Sequence, residues 1–296
     1  MISQFETPIL FLIFNRPDTT QKVFNQIKLI KPKYLFIAAD GPRLKIEDEY
    51  EKCLEARSII HQIDWDCEVK TLFQESNLGC GLAISSAINW FFINVEEGII
   101  LEDDCLPHID FFNFCRKLLN NYRANSQIMQ INGFNPFGSY ISSNKCFTTI
   151  YPRIWGWATW KNRWQNYSYK MNNWPSYISN KTQYLSRYGF IERHIRHHIW
   201  KKTKNSLVVD NFASTWDYQW NFTIMMNNGL CIQPESNLIK NIGFSSGTHY
   251  SSNENRYSSV QYGHLIQPIL FDETLQKSFD RKIHKLYLFD KFKLTR

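Results

Sequence analysis

The sequence predicts an α/β protein, with an open, mostly parallel central sheet flanked by helices. Three observations carry that expectation. Short apolar runs alternate with amphipathic stretches through roughly the first 105 residues. The runs at Ile9–Phe14 and Lys33–Ala39 are apolar nearly throughout, as strands buried on both faces require. The polar residues that interrupt the pattern fall at the ends of the runs, where open sheets of this kind bind ligands.

Pro8 to Phe14 reads as the first strand, stopped by Asn15-Arg16-Pro17. Asp18 and Gln21 have the spacing of a capping box, and Val23, Ile27 and Ile30 give the next helix an apolar stripe. Lys33 to Ala39 is the second strand, closed by Asp40-Gly-Pro-Arg43. A charged helix from about Glu47 to Ile63 leads to a third strand, Cys67 to Phe73. Asn77-Leu-Gly79 then turns the chain into a helix from about Leu82 to Val95. The fourth strand, Gly98 to Leu101, runs straight into Glu102, Asp103 and Asp104. Asp110 to Tyr122 is an amphipathic helix, and Ile128–Asn132 and Lys145–Tyr151 are further strands. Trp174 to Lys204 reads as helical and basic, and a later helix begins near Ser214 or Thr215 with Asp217 in its first turn.

Composition bounds the function. With 43% hydrophobic and 21% charged residues, the chain of 296 is globular and long enough for a substantial core. A formal charge of +7 suits an anionic partner, but no nucleic-acid-binding pattern appears and the basic excess gathers at the C-terminal end. Lys277 to Arg296 holds seven Lys or Arg against two Asp, interleaved with apolar residues. That segment suits peripheral contact with an anionic membrane surface or docking on the domain. No run is long enough to span a bilayer. Seven scattered cysteines without a C-x-x-C pair argue against a disulfide framework and against a structural zinc site, and point to a reducing cytoplasm.

An apolar strand that ends in three adjacent carboxylates is costly, because like charges repel. A divalent cation offsets such a cost, and the alternative is an acidic turn. Neither G-x-G-x-x-G nor G-x-x-x-x-G-K-[ST] follows any strand, so ordinary dinucleotide and P-loop sites are excluded. Trp155, Trp157 and Trp160 around Gly156 suit stacking on a sugar or packing in a core. His194 and His198 share a helical face but lack a third ligand, so a solvated basic face is expected there. Asp217, between Trp216 and Trp220, complements a helix dipole or serves as a desolvated general base. The Gly- and Ser-rich loop that ends in His249 suits closure over phosphates or a metal ligand.

Taken in order, Phe14-Asn15-Arg16, Asp40-Gly41, Asn77-Leu78-Gly79, Leu101-Glu-Asp-Asp104, Pro152-Arg-Ile-Trp-Gly-Trp157, Trp216-Asp217 and Gly247-Thr-His249 resemble glycosyltransferases of the GT-A fold. The likeness is to the N-acetylglucosaminyltransferase I type and to bacterial capsule and lipopolysaccharide sugar transferases, over about residues 7 to 250. The resemblance implies a Rossmann-like sheet with a nucleotide-sugar half (1–135), an acceptor and catalytic-base half (136–275) and a basic tail (276–296). It implies that Phe14, Asn15, Arg16, Asp40, Asn77, Gly79, Glu102 and Asp103 bind a nucleotide-sugar, UDP favoured. Asp104, with His249, would hold Mn²⁺ or Mg²⁺. Asp217 would be the catalytic base of an inverting transfer to a glycan or lipid-linked acceptor, with Trp155, Trp157 and Trp216 on the acceptor side. A nucleotidyltransferase would carry a Gly-rich loop after the first strand, where this chain has Asn15-Arg16-Pro17. A non-catalytic sugar- or nucleotide-binding module is the remaining rival.

Overall fold

The alternation read from the first hundred residues becomes a parallel sheet in the computed structural model, which describes residues 4–138, 141–243, 257 and 259–294, with side chains as far as 286. In chain order come β1 (Ile9–Ile13), α1 (Pro17–Ile30), β2 (Tyr34–Ala39), α2 (Glu49–Arg57), a 3-10 turn (Ser58–Gln62) and β3 (Glu68–Phe73). They are followed by α3 (Cys80–Asn94), β4 (Glu97–Glu102), β5 (Cys105–Pro107), α4 (Ile109–Tyr122) and β6 (Ile128–Asn132). Next are β7 (Ser142–Thr149), β8 (Trp157–Trp160), α5 (Lys161–Trp164), α6 (Trp174–Ser179), α7 (Lys181–Leu185), α8 (Phe190–Val209) and α9 (Asp217–Met226). The chain ends with β9 (Leu230–Pro234), β10 (Ile239–Asn241), β11 (His264–Phe271) and α10 (Thr274–Leu294).

Nine strands form one mixed sheet in the order β3-β2-β1-β4-β8-β6-β9-β7-β11, and β5 pairs β10 apart from it. β1, β2, β3 and β4 are mutually parallel, with Ile9 opposite both Leu35 and Ile99. β8 runs antiparallel between β4 and β6, joining the two halves of the sheet. Successive residues of β1 point to opposite faces, as the period of two requires. Ile9, Phe11 and Ile13 face one core with Val23, Phe24 and Ile27 of α1 and Phe111 and Leu118 of α4. Leu10 and Leu12 face the other, with Ile88 and Phe91 of α3 and Trp220 and Ile224 of α9. Helices therefore cover both faces, and the loops at the carboxyl ends of β1, β2 and β4 are left to build a site.

Several local expectations are corrected. Asp18 and Gln21 form no capping box: Pro17 takes the first helical position, and Gln21 bonds Asn25 and Gln62 instead. The Asp217 helix has no side-chain cap from Ser214 or Thr215, and the Thr215 carbonyl accepts from Gln219. The basic stretch breaks into α6, α7 and α8, and Arg196 turns inward to pair with buried Glu192, while His194 and His198 stay exposed. β5, β8, β9, β10 and β11 form where the sequence alone predicts no strand. All seven cysteines are free thiols.

α10 docks on the domain. Its Phe279 and Ile283 are buried in a third core with Trp200 and Phe222, and Asp280 accepts a 2.7 Å bond from Thr149. Through residue 286 its apolar face is therefore used internally; the side chains beyond, to Arg296, lie outside the described residues. Among the described residues no helix is long and apolar enough to cross a membrane.

Candidate active site

The polar strand ends converge. Phe14, Arg16, Asp40, Asn77, Gly79, Glu102 and Asp103 line one cleft of about 330 Å³, with Arg43, Phe212 and Ser214. β1 delivers Phe14 and Arg16, and the parallel β4 beside it delivers the acids, so the two ends meet without any long loop.

Arg16 sits between the carboxylates. Its guanidinium donates to Asp103 and, at 2.8 Å, to Asp104. The Phe14 amide adds a 3.2 Å bond to Asp103, which is buried. Asp103 is thus held from two sides, a supporting role that its burial requires. Glu102 is different: its Oε1 is shut off from solvent and has no hydrogen-bond partner, although the residue as a whole is only half-buried. Burial pushes the Glu102 carboxyl well above the usual glutamate range; the charges of Asp104 and Asp103 add to the push, and Arg16 opposes it. Asp103 is raised in the same direction by burial, with Arg16 pulling it back.

Asp40 organises the turn opposite. Its carboxylate accepts from the amides of Gly41 and Leu78 at 2.8 Å and of Gly79 at 3.1 Å, and from the Asn77 side chain at 3.0 Å. With four donors aimed at it, Asp40 shapes the cleft wall by holding the Asn77–Gly79 turn, and its oxygens are committed to that turn. Gly79 has φ +78°, a conformation that a side chain would strain. Gly41 lies against the Ser76 backbone, where a Cβ would come within 2.3 Å. Asn15 does not line the cleft: its amide donates to Glu49 at 2.7 Å, and buried Glu49 also holds Arg43. Arg43 takes its place at the cleft, its guanidinium standing over the Phe14 ring at 5.7 Å. An arginine in the turn after the second strand was the available signal.

Asp217 lines a second cavity of about 250 Å³ with Arg153, Trp155, Arg196, Tyr218, Asn221 and Tyr257. The two cavities are linked through the chain: Ser214 lines the first, and Asp217, at the end of the segment Ser214-Thr215-Trp216-Asp217, lines the second. The Asp217 charge is also felt at Glu102 and Cys80, which places it close to the acid cluster. Trp155 is half-buried in the second cavity and packs against Phe134, with ring centroids 4.6 Å apart. Trp157 and Trp216 are corrected: both are buried, stacked on each other at 5.7 Å in the core beneath α9, and neither lines the second cavity. Of the two readings of the Trp cluster, stacking survives for Trp155 alone. His249 lies outside the described residues.

The donor set fits a hard divalent cation, because carboxylate oxygens are what Mn²⁺ and Mg²⁺ take. Glu102 offers a buried oxygen without a partner, and the Asp104 side chain is 16% exposed beside it. Arg16 neutralises part of that charge.

No family model and no curated protein sequence matches the chain. Partial structural likenesses are found. Staphylococcus aureus TarS (residues 1–349) is 8% identical over 50% of this chain and 37% of its own length, with a TM-score of 0.28. HddC from Yersinia pseudotuberculosis is 12% identical over 57% of this chain and 85% of its own, with a TM-score of 0.34. The 4-diphosphocytidyl-2C-methyl-D-erythritol synthase of Anaerococcus prevotii is 8% identical over 61% and 85%, with a TM-score of 0.30. The chain spans little more than a third of the length of the TarS fragment.

Proposed function

We propose that this protein is a metal-dependent, inverting glycosyltransferase that moves a sugar from a nucleotide-diphosphate donor to a hydroxyl of a glycan or lipid-linked acceptor. One observation carries the reading: a cleft lined by Arg16, Glu102 and Asp103 and a cavity lined by Asp217 and Trp155 share the short segment from Ser214, which lines the first, to Asp217, which lines the second. UDP is favoured by the family resemblance.

In this reading the first cleft takes the nucleotide, with Phe14, Arg43, Asn77 and Gly79 in its lining. Asp104, with Glu102 beside it, would hold Mn²⁺ or Mg²⁺, which would supply charge neutralisation at the diphosphate. The acceptor sugar lies against Trp155 in the second cavity. Asp217 removes the proton from the attacking hydroxyl. A C–O bond forms at the anomeric carbon as the C–O bond to the diphosphate breaks, and the nucleoside diphosphate leaves with the electron pair. Direct displacement inverts the configuration.

A donor screen that follows the released phosphate species tests this reading and its nucleotidyltransferase rival together. Release of a nucleoside diphosphate supports it; release of pyrophosphate from a nucleoside triphosphate contradicts it. Asp217→Asn is expected to lower turnover by at least about a hundredfold, the scale of lost general-base catalysis, with donor affinity kept. Near-wild-type turnover in that variant removes Asp217 from the base role.

A further inference from the structure

We propose that His108, Asp110 and His264 form a second metal site, separate from the acid cluster, that takes a zinc-class divalent ion. One ligand atom from each of the three lies within 4.8 Å of the others. The set is two imidazoles and one carboxylate, a combination that suits zinc and its transition-metal neighbours better than Mg²⁺ or Mn²⁺.

The frame around the site is fixed from both sides. His108 caps α4, its amide donating to the Leu238 carbonyl at 2.8 Å. His264 opens β11, donating its amide to the Ile141 carbonyl at 3.1 Å and accepting from the Ser236 hydroxyl at 2.7 Å. The Leu265 amide donates to Asp110 Oδ2 at 3.1 Å, the kind of outer bond that orients a ligating carboxylate. The His108 and His264 rings stand edge to face at 4.9 Å.

His108 Nδ1 faces two groups at once. It lies 3.3 Å from the Asp110 amide, from which it accepts, and 3.2 Å from Asp110 Oδ2. Nδ1 has one in-plane lone pair, which the amide takes in the neutral ring; a proton or a metal ion at that nitrogen faces the carboxylate instead. A separation of 3.2 Å is also that of two ligands sharing one zinc ion, whose bonds run about 2.0–2.2 Å. A cation between them takes the Nδ1 lone pair in place of the Asp110 amide and joins it to the carboxylate oxygen. Closure requires the His264 ring, which is exposed, to turn inward. A bound ion would then tie the start of β11 to the start of α4. The site does not depend on the transfer chemistry proposed above.

The test is calorimetric titration of Zn²⁺ into the metal-stripped protein, with His264→Ala and Asp104→Asn alongside. The tighter Zn²⁺ site is expected to be kept in Asp104→Asn, which removes only the weaker carboxylate site, while His264→Ala binds at the tighter site more than about tenfold more weakly. Circular dichroism confirms that the exposed substitution leaves the fold intact. Absence of binding in the wild type overturns the proposal, as does unchanged affinity in His264→Ala. Loss in Asp104→Asn with retention in His264→Ala assigns zinc to the acid cluster and overturns it too.

Discussion

Replacing Glu102 with Gln isolates the carboxyl of the acid cluster whose buried Oε1 has no hydrogen-bond partner. The Glu102 carboxyl is raised well above its ordinary value of 4.5, first by burial and then by Asp104 and Asp103. A raised folded-state value means that the native protein binds a proton which the unfolded chain has released. The corresponding stability is fully present below pH 4.5 and is lost as pH rises through the folded value. The slope for one such group reaches about 1.4 kcal/mol per pH unit. Glutamine keeps the shape and cannot ionise. Urea unfolding in EDTA at pH 5, 6 and 7 should therefore show the wild type losing stability relative to Glu102→Gln, by up to about 1.4 kcal/mol for each unit. Asp103 is raised too and shifts both proteins in the same direction, so the difference between them is the informative quantity. A difference that stays constant across this range refutes the burial argument.

Two further substitutions separate architecture from contact. Gly41→Ala drives a Cβ to 2.3 Å from the Ser76 backbone, which has no flexible side chain to give way, and should cost about 3 kcal/mol in urea unfolding. Trp157→Ala empties a fully buried core position and should cost about 3–5 kcal/mol, with the acceptor KM of the folded fraction unchanged. Trp155→Ala, in the second cavity, should instead raise that KM.

The parallel strands were legible because residues buried on both faces leave continuous apolar runs, as in Ile9–Ile13 and Tyr34–Ala39. Their polar ends gave the cleft, since neighbouring parallel strands finish at the same edge. β8 was not legible: Trp157–Trp160 is a four-residue strand rich in Trp, and its pairing with β4 and β6 is entirely non-local. For the same reason the chain alone left Trp157 open between core and acceptor. Asn15 misled because its role is set by Glu49, which is 34 residues away in sequence. His108 and His264 share no spacing that marks a metal site; β11 and the start of α4 bring them together.

The proposed role of the acid cluster is tested most directly by titrating UDP into the wild type and Asp104→Asn, each with Mn²⁺ and with EDTA. Binding in the wild type that requires Mn²⁺, and that Asp104→Asn weakens by more than about tenfold, is the predicted result. UDP affinity that is the same with Mn²⁺ and with EDTA, or the same in both proteins, contradicts it.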